Sequence, residues 1–584
     1  MKKRLLAVLA IAVVAAALIA QERQEAVAPY IETFEVRLHN LDVIVTDRKG
    51  NPVPGLTKDD FEVLQDGVVQ EITNFAEYAE AKAPPAGAPA PSPAAVAAAA
   101  AEAQEMGTGK KFVLFIDEFT AHPYSRNRLA TNVTKMLDRA MKPGDEAMIV
   151  RPAETDALTL KFTRDPVLVR IKVDEAMKDA NRSHMKAAQR EIRQLVLDVS
   201  QAGSQMEKKE AARRYADMVR RRVEQRLGNL RSVVTALSEL PGRKVVVVVT
   251  ESMPTEPGRE AFSLFSEPPK PAEASGSWAA LEPNDAPTDY MIPNDWTNIK
   301  ALVEDVARTA SSAGVTIYTI QPEYGAVYAV PGGTDRREQY ADPTRESRGP
   351  GKIDPSDTRF MNDVISSTEQ TVSLLTEKTG GKWFRGDGQI DDAMRQIASD
   401  VLSYYSVAFR ASDDVDRPRH LQVRLKNHPE LHVRTRDEVV RKSPRNEMTD
   451  RAVAGLLYPH QTNELGIAVD AQGPTPDLIR KKYTTTVNVL VPLSKLTFLP
   501  EGDVYRARFT IHYAASGAST DFLSGEAKEQ VVSIAAADME KAREKFWRYT
   551  AQVYTSEPRV KVTIGVLDSV SRLSGFKTLE VARK

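Results

Sequence analysis

The chain is 584 residues long, with 42% hydrophobic and 27% charged side chains, which is enough apolar material for several packed cores and excludes global disorder. Its 79 Lys and Arg balance 80 Asp and Glu, and that near-neutral sum argues against a dedicated nucleic-acid binder. No cysteine is present, so disulfides, Cys-ligated zinc, iron–sulfur clusters and a thiol nucleophile are excluded.

The N-terminus runs Met-Lys-Lys-Arg, then an apolar stretch from Leu5 to Ala20, then a polar boundary at Gln21–Glu25. That order reads as a secretory signal peptide over residues 1–20, with Ala15, Ala17 and Ala20 as small residues for cleavage. The apolar run is short for a span of about 20 residues, so cleavage is expected over retention as an anchor. No Cys follows it to carry a lipid, and no later run is long enough to cross a bilayer. The expectation is a periplasmic or secreted protein that is not integral to a membrane after cleavage.

Residues 30–80 read as a small β domain. Phe34–Thr46 alternates imperfectly, Asp47–Gly55 is dense in turn residues, and Phe61–Gln65 ends in Asp66-Gly67, a hairpin signal that makes Val68–Phe75 the return strand. Residues 82–108 are an Ala/Pro-rich linker, expected as a solvated spacer. From Lys110 short apolar strands alternate with amphipathic helices. Phe112–Ile116 leads into Asp117, a helix is expected over Ser125–Met141, and Glu146–Val150 and Leu158–Phe162 are further strands. Asp165-Pro166 opens another helix. Val245–Thr250 begins with five valines and reads as a sheet interior buried on both faces. A helix over Asn298–Ala313, a strand over Gly314–Ile320, helices over Phe360–Lys378 and Ile390–Leu402, and a strand over Ser403–Phe409 follow. This alternation predicts an α/β unit over 110–412, a doubly wound, mostly parallel sheet.

A long helical insertion occupies about 182–240, where Val219, Val223, Leu227, Leu230, Val234 and Leu237 recur at helical spacing. Between Gln205 and Ser232 it carries nine Lys/Arg against four Asp/Glu. A solvated helix face docked by its apolar stripe is expected over a basic arm for a polyanion or membrane surface. Stretches at about 254–296 and 322–358 read as loops. Leu421–Leu425 and Leu431–Thr435 look like a hairpin that completes the small β domain over 415–440. Residues 450–584 read as a C-terminal all-β sandwich, with one helix expected over Ala537–Tyr549.

The strand that delivers Asp117 at its carboxyl end, inside a doubly wound unit, resembles a von Willebrand factor A (VWFA) domain. The lead-in Val43–Phe61 is similar to VWFA-related proteins of the acidobacterial type, as are Phe162-Thr-Arg-Asp165, Gly242–Thr250 and Asp400–Phe409. The likeness covers roughly residues 30–440. Domains of that family commonly hold Mg²⁺ through an Asp-x-Ser-x-Ser loop, a Thr on a second loop and an Asp on a third, with an open position for a partner's carboxylate. Carried over, Asp117 matches the first ligand, but Phe119 and Ala121 stand where the two Ser would be. Thr250-Glu251-Ser252 falls at the third loop, which leaves Glu251 in place of the Asp, and no Thr is found for the second. A degenerate adhesion site is therefore expected, with Asp117 and Glu251 as the ligands of any Mg²⁺ that binds.

Together with the expected signal peptide and the lack of a catalytic motif, this leads to the expectation of an exported, non-enzymatic interaction or adhesion module. Its partner, a protein or a cell-envelope component, would bind at the carboxyl edge of the sheet through Asp117, Glu118, Thr120, His122, Glu251 and Ser252. The alternative is a hydrolase acting outside the cytoplasm with these carboxylates and His122. No Gly-x-Ser-x-Gly elbow, His-Glu-x-x-His motif or phosphate loop accompanies it.

Overall fold

The computed structural model describes residues 38–79, 109–117, 123–151, 158–179, 182–238, 240, 242–250, 252–264, 298–321, 358–386, 389–410, 414–457, 462–477, 482–516, 522–524, 527–555 and 558–582. The expected signal segment, the Ala/Pro linker and most of the two expected loop regions lie outside the described residues. The chain begins with β1 (Leu38–Thr46), β2 (Phe61–Gln65), β3 (Val68–Gln70) and β4 (Ile72–Tyr78). Asp66 and Gly67 both take positive φ, 50° and 82°, the backbone that a two-residue hairpin turn needs, and Gln65 faces Val68 across it. The return strand does not continue. It breaks at Glu71, and β3 and β4 join different sheets.

The next part alternates strands and helices: β5 (Lys111–Ile116), α1 (Pro123–Ala140), β6 (Glu146–Val150), β7 (Leu158–Thr163), α2 (Pro166–Asp179), α3 (Arg182–Gln201), α4 (Gln205–Ser238), β8 (Lys244–Val249), a single turn α5 (Glu260–Ser263), α6 (Lys300–Ser312), β9 (Val315–Gln321), α7 (Thr358–Glu377), β10 (Trp383–Arg385) and α8 (Ile390–Leu402). The sheet has order β10-β9-β8-β5-β6-β7, parallel throughout except for the antiparallel edge strand β7. Its two faces divide the valines of β8. Val245, Val247 and Val249 pack with α1, α2 and α8, while Val246 and Val248 pack with α4, α6 and α7. Helix starts follow local chemistry: Asp165 Oδ1 accepts from the amides of Val167 (2.9 Å) and Leu168 (3.2 Å), ahead of Pro166 at the first helical position.

The insertion is two helices. Ala202-Gly203-Ser204 breaks it, and Glu207 turns back to the Gly203 amide at 2.7 Å while Ser204 Oγ accepts from the Glu207 amide at 3.2 Å. The second helix, α4, lays Val223, Leu227, Leu230, Val233, Val234 and Leu237 on the sheet. Its first half packs Ala211, Ala212, Tyr215 and Ala216 against Ile192, Leu195 and Val199 of α3.

After α8 come β11 (Tyr404–Arg410), β12 (Arg419–Leu425), β13 (His432–Arg434) and β14 (Glu438–Val439). They complete two four-stranded sheets with the first strands, ordered β13-β1-β11-β4 and β14-β12-β2-β3. One core lies between them, built on Leu41, Val43, Phe61, Val63, Tyr405, Val407, Phe409 and Leu421. The expected 421–435 hairpin is corrected here: β12 pairs with β2 and β14, β13 pairs with β1, and the two strands serve opposite sheets.

The last third opens on a helix, α9 (Pro444–Leu457), where an all-β start was expected. Ser443 Oγ accepts from the Asn446 amide at 3.3 Å and Pro444 sits at the first position, a start signal that precedes the apolar residues Met448, Ala452, Val453 and Leu456. Then follow β15 (Ala468–Asp477), β16 (Lys482–Pro492), β17 (Leu499–Glu501), β18 (Val504–Ser516), β19 (Phe522–Ser524), β20 (Lys528–Ala535), one turn α10 (Met539–Ala542), β21 (Phe546–Thr555), β22 (Arg559–Asp568) and β23 (Ser574–Ala582). The sheets β15-β16-β21 and β17-β18-β22-β23, the latter with β19 and β20 on β18, are antiparallel and share a core of Val487, Val489, Phe509, Ile511, Val562 and Ile564. The helix expected over Ala537–Tyr549 is wrong beyond Ala542. From Phe546 onward aromatic and β-branched residues suit a pleated surface, and β21 pairs with β16 along its whole length. The chain is thus a mixed α/β protein with one largely parallel sheet and several antiparallel ones.

Candidate functional site

β5 is buried along its length and ends in Asp117, whose amide donates to Val249 O at 2.8 Å. Beside it β8 ends in Thr250, whose amide donates to Ile320 O at 3.1 Å. The two ends are therefore held in register at the carboxyl edge of the sheet. There the Thr250 hydroxyl donates to Asp117 Oδ2 at 2.8 Å. A second donor reaches the same oxygen: Arg226 Nη1, from α4, at 2.6 Å. That nitrogen also lies 3.0 Å from Ser252 O. Asp117 is 1% exposed, Thr250 0% and Arg226 5%, so this is a buried, charge-assisted pair.

Helical spacing explains how the arginine gets there. Position 226 is three residues after Val223 and four before Leu230, on the face that packs against the sheet. The side chain extends from that face to the edge where Asp117 emerges. Asp117 Oδ1 is buried, and among the described residues it has no hydrogen-bond partner. Arg151, closing β6, and Gln321, closing β9, are also buried at this edge.

Of the six residues expected here, the structure brings Asp117 to the centre and places Ser252 so that its carbonyl accepts from Arg226. Glu118, Thr120, His122 and Glu251 lie outside the described residues. Two participants escaped the sequence reading. Thr250 was grouped with a third-loop motif, yet it serves Asp117 directly. Arg226 falls in the basic run of α4, and its spacing from Val223 and Leu230 places it on the sheet-facing side without showing that a buried carboxylate waits there.

Mg²⁺ takes six oxygens in a near-octahedral array at about 2.0–2.1 Å. Here Oδ2 already accepts from two donors, one a guanidinium, a group with N–H donors and no acceptor. Among the described residues no group of three or more His, Asp or Glu is placed to hold a metal ion. Among the described residues, Asp117 Oδ2 is thus taken up by Arg226 and Thr250, and the other expected ligand, Glu251, lies outside them.

No protein-family model matches the chain. No curated protein sequence matches it either. Among solved structures it is similar to a structural-genomics target at 12% identity, covering 21% of this chain and 89% of that one, with a TM-score of 0.15. It is also similar to an aerotolerance-related membrane protein from Bacteroides fragilis carrying multiple mutations to serine, at 11% identity, with 50% and 98% of the two chains covered and a TM-score of 0.22. A third is the human COPII-coat protein Sec24c, at 7% identity and a TM-score of 0.22, covering 60% of this chain and about half, 48%, of that one. All three scores are low, and the fold described above rests on strand order and register alone. Among the described residues no helix is long and apolar enough to cross a membrane.

Proposed function

We propose that this chain is an exported, non-enzymatic interaction module of the VWFA-related kind, engaging a protein or envelope partner at the carboxyl edge of its parallel sheet without a metal ion. The observation that carries this reading is the Arg226 guanidinium on Asp117 Oδ2, a tethered cation where the VWFA resemblance would put Mg²⁺. A metal-dependent adhesion site recruits a partner's carboxylate to an open coordination position. A guanidinium that is already satisfied offers no such position, so recognition falls to the connections leaving the strand ends around it. The strand order, with one antiparallel edge strand and helices on both faces, supports the family reading. The polar residues gathered at the carboxyl edge support the location, the usual ligand crevice of open α/β sheets.

The test joins metal titration to partner capture. Calorimetry of the mature chain with Mg²⁺ and Mn²⁺ is expected to show no saturable heat, and melting is expected to be the same with and without EDTA. A partner captured from an envelope extract is expected to stay bound after chelation. Saturable cation binding that is lost in Asp117→Ala, or capture that collapses in EDTA, overturns the reading.

A further inference from the structure

At the opposite, amino edge of the parallel sheet a cleft of about 790 Å³ opens between that sheet and the small β sheets. Its walls are the turn after β1, the end of β12 with the chain that follows, β13, Lys382 just before β10, and Gln396 of α8. The volume suits a small ligand. Five cationic side chains line it: Arg48, Lys49, Lys382, Arg424 and Arg434. The single lining carboxylate is Asp47, and it is committed elsewhere. It accepts from the amides of Lys49 (2.8 Å) and Asn51 (2.9 Å) and from Asn51 Nδ2 (3.0 Å).

The cations are held by neutral or backbone partners more than by acids. Lys382 Nζ donates to Gln396 Oε1 at 2.8 Å, and Arg424 Nη2 to Gln422 Oε1 at 2.6 Å. Among the described residues Arg48, Lys382 and Arg424 form no ion pair. Arg434 is the exception, anchored on Asp400 Oδ2 at 2.6 Å and reaching Gly381 O at 3.3 Å. Desolvation, with the Arg434 guanidinium adding to it, holds the Lys382 ammonium below its ordinary value. His428 and His432 add ring nitrogens to the wall, with His428 Nδ1 3.5 Å from Glu430 and its Nε2 3.9 Å from Asp60. A concave site lined by one sign of charge concentrates ions of the other.

From this juxtaposition we infer that the cleft binds a phosphate-bearing anion. A planar carboxylate is satisfied by one arginine fork, whereas a phosphate presents several oxygens to donors arriving from different directions. Donors here come from separate elements, the turn after β1, the chain before β10, β12 and β13, with the lysines as point charges beside the arginine forks. The site is independent of the carboxyl-edge reading. Two sources supply the same chemistry, a free phosphate compound or a phospholipid headgroup.

The experiment uses the full mature chain. Calorimetry with inorganic triphosphate and sedimentation with phosphatidylglycerol vesicles run in parallel, and citrate is the carboxylate control. Saturable, salt-sensitive binding of triphosphate that displaces vesicles assigns a free ligand; binding of vesicles alone assigns a headgroup. Either result is expected to weaken about tenfold or more in Lys382→Glu/Arg424→Glu, with an unchanged melting temperature. Arg48→Glu/Lys49→Glu, in an exposed turn, provides a second variant should the first lose its fold. No saturable binding of either probe, equal binding of citrate, or binding indifferent to charge reversal overturns the proposal.

Discussion

Arg226 and Asp117 carry opposite charges into a site almost without solvent, and the cost of that burial is offset only while both are present. Among the described residues, Arg226→Leu leaves the Asp117 carboxylate with the Thr250 hydroxyl on Oδ2 and no partner on Oδ1. It is expected to destabilise the chain by roughly 3–5 kcal/mol in urea melts. Asp117→Asn in the same background removes the stranded charge and is expected to recover much of that loss. Simple additivity of the two changes would show that the pair is not coupled. Glu260 is a second buried charge, facing Tyr215, whose hydroxyl donates to Glu260 Oε1 at 3.4 Å. Desolvation pushes its carboxyl up to about 7, with Asp363 adding to the rise. Because the folded value is the higher one, its stabilising effect is complete below the unfolded value of about 4.5 and disappears as pH rises through about 7. Ionised and buried, Glu260 costs about 3 kcal/mol. Glu260→Gln is therefore expected to raise the melting temperature near pH 9 and to leave it nearly unchanged near pH 5. Equal effects at both ends would mean that this carboxyl is not raised above its unfolded value in the folded chain.

Among the elements, α4 holds most together, because its two halves face different neighbours. The first packs on α3 and the α5 turn, the second on the sheet. Gly258 marks how closely the chain before α5 approaches it. With φ at +81°, an added Cβ would lie 2.3 Å from Ala216 Cα. Gly258→Ala is expected to cost roughly 2–4 kcal/mol, and Ala216→Gly in the same chain should recover only part, since the clash reaches backbone. A cost below a few tenths of that, measured by denaturant midpoint, would mean that this approach is loose in solution. Much of α4 was legible in advance, since Val223, Leu227, Leu230, Val234 and Leu237 mark one face by spacing alone. The valines of β8 and the Asp-Gly turn at 66–67 were legible for the same reason: their signals are local. Arg226 was not, because nothing in spacing tells a buried guanidinium from a solvated one until the opposing carboxylate is known. The 421–435 segments misled as a hairpin because alternation fixes a strand but not its partner. At Phe546 a helical turn runs almost directly into a strand, and apolar content alone does not separate the two.

At the scale of the whole molecule, the parallel sheet is used at both ends, and the ends differ. The carboxyl edge gathers Asp117 and Thr250, while at the amino edge arginines reach across to and from the small β sheets, Arg434 of β13 onto Asp400 Oδ2 of α8 and Arg243, just before β8, in the other direction. Arg243 Nη1 donates to the carbonyls of Asp400 (2.9 Å) and Val401 (3.3 Å) at the end of α8. Its Nε lies 3.2 Å from Asp42 Oδ2 in β1, and its guanidinium sits 4.0 Å above the Tyr404 ring in β11. The C-terminal sheets attach elsewhere: α9 lies against α4 and also against β18 and β22. All three layers fall within one unit, His39–Lys584. Arg243 thus bridges a helix end, a carboxylate and an aromatic face between two cores whose buried apolar clusters are separate among the described residues. Arg243→Met retains the aliphatic stem and removes the charge, leaving Asp42 without that partner and the α8 carbonyls without a donor. The expected loss is about 3 kcal/mol or more. Its distribution is the more informative readout. If Arg243 couples the cores, hydrogen exchange should quicken in β1 and β11 while β8 stays protected, because the small β sheets then open without the parallel sheet. Uniform acceleration across β1, β11 and β8 would mean that the cores unfold as one with or without this contact.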